Sequence, residues 1–326
     1  MKFRENISLA KYSHYKIGGP ARFFFESKNE RETAWALREA KARRLSVFVL
    51  GGGTNVLLPD SGFDGLVIRP VITGMKSGRK NTIEAGAGVP MEKLLAFAAG
   101  RSLAGLEWAG GLPGTLGGAV RGNAGCFGGE MKDVVVSVRS IDPRTTKIVE
   151  RSAKACAFSY RESVFKQAGR RGAAGEIIIG ATLALAPGNR REILRSVREK
   201  IEHRQRNHPL EHPNIGSIFK NVPLASVCRS KRSFERAVAV GVLEFRGSRF
   251  SVKTDPVPVI SAAKLISESG LRGVSFGGAM ISAKHPNFIV NALGAESRDV
   301  KTLMSLAKLE VRRKFGVSLD EEVQTV

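Results

Sequence analysis

Cysteine is scarce in this chain of 326 residues, and its three cysteines, Cys126, Cys156 and Cys228, are widely spaced with no CxxC pair. Neither a disulfide framework nor a structural zinc site is supported, and we expect no metal. No run of 18 apolar residues occurs, so we expect no membrane insertion. The polar start MKFRENISLAKYSHYK lacks the apolar core of a signal peptide. Together these absences favour a reducing cytoplasm.

Acidic side chains are also few, because 30 Asp and Glu stand against 52 Lys and Arg, for a net charge of +22. Three explanations of this charge compete: phosphate binding along a nucleic acid, steering of small anionic substrates, and a basic surface unrelated to function. Aromatic residues make up only 7% of the chain. No stacking motif is interleaved with the basic residues, so we expect no nucleic-acid partner.

The chain shows no convincing internal repeat, and its 42% hydrophobic and 25% charged residues are typical of a globular protein. Its length predicts two or three domains. We place three regions at 1–69, 70–188 and 189–326. The apolar spacing predicts helices at 30–44, 90–101, 190–206, 262–270 and 297–314, and strands at 46–50, 65–69, 82–87, 134–141, 177–186, 288–291 and 319–323.

A first glycine-rich segment, Gly51, Gly52, Gly53, Thr54 and Asn55, directly follows the strand predicted at 46–50. Three glycines free the backbone to approach a ligand, and their amides can form an anion-binding nest. The segment is neither a GxGxxG nor a Walker sequence, which excludes the usual Rossmann and P-loop readings. It predicts a phosphate site, with a tight turn between strands as the alternative.

A second segment has seven glycines in the sixteen residues from 110 to 125. A purely structural loop rarely needs so many, so close packing on a flat or phosphorylated cofactor is the better explanation. One glycine-rich segment in each of the first two regions indicates a cofactor lying between those regions. The candidate cofactor contacts in this run are Gly110, Gly114, Thr115, Gly117, Gly118, Asn123 and Gly125.

Three further segments carry candidates for reaction chemistry. Arg161 stands beside the Tyr160 hydroxyl in FSYRES, Ser217 follows a glycine in NIGSIFKN, and Glu322 lies in the closing LDEEV. Each has an ordinary explanation by itself: a surface ion pair for Arg161, a helix cap for Ser217 and a solvated acidic end of the chain for Glu322. No GxSxG sequence occurs, which argues against a serine hydrolase.

The order of the motifs is more specific than any one of them. From residue 13 onward the chain contains SHYKIGGPA, GGGTNVLL, AGGLPGTLGGAVRGNAGCFGGE, FSYRESVFK, GSIFKN, GLRGVSFGGAMISAKHPNFIVN and FGVSLDEEV. In this combination the chain resembles the UDP-N-acetylenolpyruvoylglucosamine reductase family, from about residue 8 to residue 323.

The resemblance implies an α+β fold, with a two-part FAD-binding region of the vanillyl-alcohol-oxidase/PCMH type. On this basis 1–69 and 70–188 are FAD-binding subdomains. The region 189–326 is a C-terminal α/β substrate-binding domain, whose last strand carries Glu322 back to the active site. The implied reaction uses FAD and NADPH to reduce UDP-N-acetylglucosamine enolpyruvate to UDP-N-acetylmuramate. We expect a monomer.

The resemblance also implies roles for individual residues. Arg161 would hold the substrate carboxylate and stabilise developing negative charge. Ser217 would donate a proton to the carbanion, and Glu322 helps only if it carries or shares a proton. Glu321 is the alternative to Glu322 for this role. The expected substrate contacts are Tyr160, Lys220, Asn221, His285 and Asn287.

Some features depart from the family pattern. Residues 222–260 are longer than in compact members, and predict an extra hairpin or small helix that either covers the substrate or only decorates the domain. The diphosphate contact is expected near Asn207, His208 and Pro209, without assignment to one of them. An FAD oxidase of the same fold with another substrate stays as an alternative, which would share the glycine-rich segments but not Arg161, Ser217 and Glu322.

Overall fold

The computed structural model describes residues 1–169, 175–228, 230–254 and 257–326. The strands are β1 Arg4–Ser8, β2 Pro20–Ser27, β3 Val47–Val49, β4 Val56–Leu57, β5 Phe63–Pro70, β6 Met75–Ser77, β7 Thr82–Gly86, β8 Leu103–Ala104, β9 Gly125–Cys126, β10 Gly129–Glu130, β11 Val135–Ile141, β12 Ile148–Ser152, β13 Ile177–Ala184, β14 Ala186–Pro187, β15 Val222–Pro223, β16 Val242–Phe245, β17 Ser248–Thr254, β18 Pro258–Ile260, β19 Ser275–Phe276, β20 Ala279–Ile281, β21 Ile289–Asn291 and β22 Gln324–Thr325. The helices are α1 Glu30–Ala42, α2 Met91–Ala99, α3 Leu116–Arg121, α4 Val164–Gly169, α5 Arg190–Asn207, α6 Lys231–Val240, α7 Ala262–Glu268 and α8 Ser297–Phe315. Short 3-10 turns occur at Leu9–Tyr12, Glu107–Ala109, Met131–Asp133, Lys154–Cys156 and Leu224–Ser226.

The chain divides into two compact units, and it passes between them more than once. The first unit comprises Met1–Ser8, Pro20–Gly53 and Gly62–Arg206, and the second comprises Leu9–Gly19, Thr54–Ser61 and Asn207–Val326. The predicted boundaries at 69/70 and 188/189 do not coincide with this division. Both fall inside the first unit, and the functional names given to the three regions stay a prediction.

The first unit contains a four-stranded sheet in the order β1-β2-β5-β3. β1 pairs antiparallel with β2, whereas β2, β5 and β3 run parallel, with α1 as the crossover from β2 to β3. α1 begins at the N-cap Asn29, whose side-chain oxygen accepts from the Glu32 amide at 2.9 Å. Its buried Leu37 packs in one apolar cluster with Ile68 of this sheet and Ile177 of the next, which explains why no boundary falls at residue 69.

The second sheet of the first unit is antiparallel, in the order β12-β11-β13-β7-β6. Leu94 of α2 and Leu116 of α3 are buried in a core with Val138 and Leu183 of this sheet. α2 and α3 thereby flank the second glycine-rich segment, which follows α2 in the chain and runs through α3.

The second unit takes in two short segments from the N-terminal part of the chain. The buried Tyr15 hydroxyl donates to the Ile289 carbonyl at 2.6 Å, and burial raises the pKa of this phenol. Asn291 Nδ2 donates to the Tyr15 carbonyl at 3.0 Å. β4 pairs parallel with β22, and the Asp60 carboxylate accepts from the Ser297 amide and hydroxyl at the start of α8. These long-range bonds give both segments their place in the second unit.

The insertion at 222–260 contains both a hairpin and a helix. β15, β18, β17 and β16 form a sheet in that order, and α6 precedes β16; Arg229 and residues 255–256 lie outside the described residues. The Phe250 ring is buried and stands edge-on to Phe315 of α8, with 5.6 Å between the ring centroids. The insertion is therefore part of the hydrophobic core of the second unit.

The predicted helices at 30–44, 90–101, 190–206, 262–270 and 297–314 correspond to α1, α2, α5, α7 and α8, with ends that shift by at most two residues. The strand predicted at 319–323 is not a regular strand. A single antiparallel bridge joins Glu321 to Phe219, and the pairing with β4 begins only at Gln324. The sequence predicts a β–α–β arrangement for the first 70 residues without bounds for its first strand, which corresponds to β2, whereas β1 has no counterpart among the predicted strands.

Glu176 supplies a test of what holds the second sheet together. Its carboxylate accepts from Arg151 Nε of β12 at 3.0 Å and from Ser140 Oγ of β11 at 2.6 Å. The Arg151 hydrogen bond, followed by that of Ser140, lowers the pKa of Glu176 against the effect of burial. We expect Glu176→Gln to reduce the free energy of unfolding at pH 7 by about 1–3 kcal/mol in urea denaturation.

The sign of the pH dependence follows from the lowered pKa. The ionised Glu176 stabilises the fold above the unfolded pKa of about 4.3, and this stabilisation is lost as the pH falls through the lower folded value. The difference between wild type and Glu176→Gln should therefore shrink below about pH 4. Glu84→Gln is the control, since its ion pair with Lys76 is largely exposed and should matter by less than about 0.5 kcal/mol. Equal effects of the two substitutions would contradict the prediction.

Candidate active site

The two glycine-rich segments of the first unit meet backbone to backbone. Gly51, Gly52 and Gly53 follow β3, and Gly53 has a φ of +65°. A Cβ atom at Gly52 would lie 2.8 Å from the Gly114 Cα, and one at Gly51 would lie 3.2 Å from Thr115 Oγ1. The absence of side chains at these glycines is what permits the contact.

The middle of the second segment lies along residues 87–91. The Gly114 carbonyl accepts from the Met91 amide at 3.0 Å, and the Leu116 and Gly117 amides donate to carbonyls of that stretch at 2.9 Å. Gly114 has a φ of +109°, which a residue with a side chain rarely adopts. Gly118 is exposed and has only ordinary contact with Thr115. Gly118 therefore leaves bare backbone open to a ligand.

Two of the predicted cofactor glycines have packing roles. A Cβ atom at Gly110 would lie 2.7 Å from the Val197 carbonyl oxygen, because α5 packs directly on this residue. A Cβ atom at Gly125 would lie 2.6 Å from the Glu130 Cβ, across the β9–β10 hairpin. Helix and hairpin packing accounts for these two glycines without a cofactor, so the glycine excess has more than one cause.

Asn123 joins the second glycine-rich segment to the segment that carries Arg161. Its side chain is fully buried and its φ is +42°. Nδ2 donates to Glu130 Oε2 at 2.5 Å and to the Ser159 carbonyl at 3.0 Å, while Oδ1 accepts from the Lys132 amide at 2.9 Å. The amide is thus engaged by protein groups, so we expect any contact of Asn123 with a cofactor to come from its backbone.

Arg161 lies at the tip of a two-residue turn. The Ser159 and Glu162 backbones exchange two hydrogen bonds of 3.1 and 3.0 Å, and Arg161 has a φ of +58°. Its guanidinium carbon lies 5.4 Å from the centroid of the Tyr160 ring, within the range of a cation–π contact. The Lys166 ammonium donates to the Arg161 carbonyl at 2.9 Å. The sequence showed the arginine but not the left-handed turn.

The FAD implied by the resemblance fits the glycine-rich segments. A dinucleotide cofactor needs bare backbone that can approach its diphosphate and its flat ring. Gly51, Gly52, Gly114 and Gly118 offer such backbone in one part of the first unit, with Thr115 Oγ1 beside them. These are the residues that would hold the cofactor.

In the second unit, Ser217 lies in a turn that Asn287 fixes. Gly216 before it has a φ of +83°. The Asn287 side chain is only 4% exposed; its Oδ1 accepts from the Phe219 amide at 2.9 Å and its Nδ2 donates to the Phe219 carbonyl at 2.8 Å. The structure therefore uses the Asn287 amide to hold the Ser217 turn, and a substrate contact by this residue stays a prediction.

The Glu322 segment lies directly against the Ser217 turn. The Glu322 amide donates to the Ile218 carbonyl at 2.8 Å, and Asn55 Nδ2 donates to the Glu322 carbonyl at 3.2 Å. The neighbouring Glu321 forms a 2.6 Å ion pair with Lys308 of α8. Ser217 and Glu322 are thus brought together within the second unit, and the ion pair gives Glu321 a structural role.

Two more predicted substrate contacts have partners in the protein. Asn221 Oδ1 accepts from the Ala262 amide at 3.3 Å, at the start of α7. His285 packs against Phe288, with ring centroids 4.8 Å apart. Burial, together with the smaller effect of the nearby Arg272 and Lys253 charges, lowers the pKa of His285 to about 4. His285 is therefore neutral at pH 7 and does not attract phosphate by charge.

The candidate residues divide between the two units. The first holds Gly51, Gly52, Gly53, Gly110, Gly114, Thr115, Gly117, Gly118, Asn123, Gly125, Tyr160 and Arg161; the second holds Thr54, Asn55, Ser217, Lys220, Asn221, His285, Asn287 and Glu322. Among the residues that the structure describes, no group of three or more His, Cys, Asp or Glu side chains has a metal-binding arrangement. In the same part of the chain, no helix is long and apolar enough to cross a membrane.

Two family models match the chain. Residues 21–151 match an FAD binding domain, and residues 208–326 match the C-terminal domain of UDP-N-acetylenolpyruvoylglucosamine reductase. These matches confirm the predicted α+β fold with its FAD-binding region and its separate C-terminal domain.

Relatives and a solved structure agree over the whole length. The UDP-N-acetylenolpyruvoylglucosamine reductase of Carboxydothermus hydrogenoformans is 36% identical over 323 residues, which cover 99% of this chain and 93% of the relative. That of Lachnoclostridium phytofermentans is 33% identical, over 98% of this chain and 92% of the relative. The structure of the Thermus caldophilus reductase has a TM-score of 0.74 at 28% identity and covers 99% of both chains. The chain belongs to the UDP-N-acetylenolpyruvoylglucosamine reductase family.

Proposed function

We propose that this protein reduces UDP-N-acetylglucosamine enolpyruvate to UDP-N-acetylmuramate with NADPH, through bound FAD, in the synthesis of peptidoglycan precursors. The observation that carries the proposal is the hydrogen bond from the Glu322 amide to the Ile218 carbonyl, which joins the Ser217 turn to Glu322 in a chain that aligns with the reductases from end to end. An oxidase of the same fold acting on another substrate would not require this pair.

The cofactor would be held by Gly51, Gly52 and Gly53 together with Thr54 and Asn55, and by the Gly114–Gly118 part of the second segment. When held there, FAD would supply the hydride-transfer chemistry between NADPH and the substrate. The contribution of the chain is to keep backbone amides close to the diphosphate and the ring, which the contact between Gly52 and Gly114 makes possible.

Three side chains would act on the substrate. Arg161 binds the carboxylate of the enolpyruvyl group and stabilises the charge that spreads onto it when hydride adds to the double bond. Ser217 Oγ donates its proton to the carbon that bears the carboxylate, and Lys220 is positioned in the same segment to assist. Glu322 is the third of these side chains, and the hydrogen bond from its amide to the Ile218 carbonyl holds its backbone beside the Ser217 turn.

The remaining candidates would bind the rest of the substrate. Tyr160, Lys220, Asn221, His285 and Asn287 are the proposed contacts, and the Asn287 amide also holds the Ser217 turn through Phe219. Both substrate and NADPH are polyanions, and the +22 net charge favours their capture. We place the reaction in the cytoplasm, where NADPH is available.

The proposed function has a direct test in the visible spectrum of the purified protein. We expect a yellow protein, or one that becomes yellow with FAD, whose flavin is bleached by NADPH and recovers when UDP-N-acetylglucosamine enolpyruvate is added. A colourless protein that does not take up FAD would exclude both FAD-dependent functions, the reductase and the oxidase of the same fold. Bleaching without recovery would leave only an oxidase or reductase with another substrate.

Ser217→Ala separates the two half-reactions. We expect reduction of the flavin by NADPH to stay within about twofold of wild type, and formation of UDP-N-acetylmuramate to fall by about 10²–10⁴-fold, because proton donation belongs only to the second step. Stopped-flow absorbance of the flavin measures both steps. Ser226→Ala is the control, since this exposed hydroxyl bonds only locally to the Pro223 carbonyl. Equal slowing of both steps would remove Ser217 from the assigned role.

Gly52→Ala tests the cofactor site. The added Cβ would lie 2.8 Å from the Gly114 Cα, and overpacking of this kind costs about 1–3 kcal/mol. We expect FAD to bind about 10- to 100-fold more weakly, as measured by fluorescence titration of the apoprotein. Gly74→Ala is the matched control, because nothing lies within 4 Å of its added Cβ. Unchanged FAD affinity in Gly52→Ala would place the cofactor elsewhere.

We further propose that the protein is a monomer. The most exposed large apolar side chains among the described residues lie apart in the sequence and the fold: Met1 belongs to the first unit, and in the second unit Val240 ends α6, Leu293 follows β21 and Leu309 lies on α8. Light scattering coupled to size-exclusion chromatography should give a mass near 35.2 kDa. A mass about twice that value at micromolar concentration would contradict a monomer.

A further inference from the structure

Lys166 is a buried cation that has no assigned role in the proposed reduction. It lies on α4, and only 7% of its surface is exposed. Its ammonium donates to the Arg161 carbonyl at 2.9 Å and lies 3.9 Å from a Glu162 carboxylate oxygen. A desolvated ammonium is costly unless it is paired and hydrogen-bonded. The fold therefore keeps a buried charge at the backbone of the residue assigned to the substrate carboxylate.

That backbone is in a conformation that needs support. Arg161 has a φ of +58°, in the left-handed region that side-chain-bearing residues rarely adopt. Such a conformation persists where the surroundings determine it by several contacts. A charge-assisted hydrogen bond to a carbonyl is stronger than a neutral one, so the Lys166 ammonium is suited to hold the Arg161 carbonyl in place.

The rest of the turn is fixed at its base. Asn123 Nδ2 donates to the Ser159 carbonyl at 3.0 Å, and the buried Ser163 hydroxyl donates to the Arg121 carbonyl at 2.6 Å. These two bonds hold the two sides of the turn at its base, away from the Arg161 peptide at the tip. The bond from the Lys166 ammonium to the Arg161 carbonyl acts at the tip itself.

We infer that Lys166 is a positioning residue for the reduction of the enolpyruvyl substrate: its ammonium holds the Arg161 peptide in the left-handed turn and thereby aims the guanidinium at the substrate carboxylate. Lys166 does not touch the substrate. The inference rests on the proposed function, because it assumes that Arg161 binds the substrate carboxylate. A misplacement of about 1 Å at such a group can cost on the order of 10²-fold in rate.

Lys166→Met keeps the aliphatic stem and removes the ammonium. In the FAD-loaded enzyme we expect flavin reduction by NADPH to stay within about twofold of wild type, and the rate of flavin reoxidation by UDP-N-acetylglucosamine enolpyruvate to fall by about 10- to 100-fold. We also expect the affinity of the oxidised holoenzyme for this substrate, measured by isothermal titration calorimetry, to fall about tenfold. Lys166→Arg, which keeps a cation and its donors, should recover most of both losses.

Lys154→Met is the matched control, because Lys154 is an exposed lysine close in sequence on the same unit. It should leave both half-reactions and the substrate affinity unchanged. A double-mutant cycle tests whether Lys166 acts through Arg161: in an Arg161→Lys background, Lys166→Met should cost much less than it does in wild type. Full additivity of the two substitutions would overturn the inference.

The outcomes separate the inference from the proposed function. A wild-type enzyme that does not react with the enolpyruvyl compound removes the proposed function itself. A competent wild type with an unaffected Lys166→Met variant removes only the role of Lys166. Equal loss of FAD content, thermal stability and both half-reactions in Lys166→Met would show a general structural role and also overturn the inference. If Lys166→Met does not fold, Lys166→Gln takes its place as the uncharged variant: a loss confined to the second half-reaction supports the inference, and no loss there contradicts it.

Discussion

The approach of two glycine-rich backbones is the constraint on which the first unit depends. A side chain at Gly52 would lie 2.8 Å from the Gly114 Cα, so the two segments can touch only because both lack one. Their contact places Thr115 and the start of α3, and α3 leads to Asn123. Asn123 in turn bonds the Ser159 carbonyl at the base of the Arg161 turn. One steric requirement therefore connects the backbone proposed to bind FAD to the residue proposed to hold the substrate carboxylate.

Two buried asparagines organise the candidate catalytic segments, one in each unit. The Asn123 amide bonds Glu130, the Ser159 carbonyl and the Lys132 amide, and the Asn287 amide bonds both backbone groups of Phe219. Buried polar groups are costly unless satisfied, and these two use donor and acceptor alike. They fix loops that have no regular secondary structure, and the Asn287 amide thereby gives the Ser217 turn a defined position.

The ionisable side chains of the second unit have different surroundings. Glu321 is bound by Lys308 at 2.6 Å, whereas Glu322 contributes its backbone amide to the Ser217 turn. His285, which stands among aromatic rings, is kept neutral by burial that lowers its pKa to about 4. As a member of the reductase family the protein is an FAD-dependent oxidoreductase.

The sequence by itself determined five of the eight helices that the structure describes, the family and the residue types of the candidate site. Helical periodicity is local, so α1, α5 and α8 could be placed from spacing alone, and seven motifs in a fixed order identified the family and with it Arg161, Ser217 and Glu322. Only the tertiary structure decided where the chain divides, that Gly110 and Gly125 are needed for packing, that Asn123 and Asn287 bind backbone, and that Glu321 pairs with Lys308. These features depend on contacts between residues far apart in the chain, and a local pattern of residue types carries no record of such contacts.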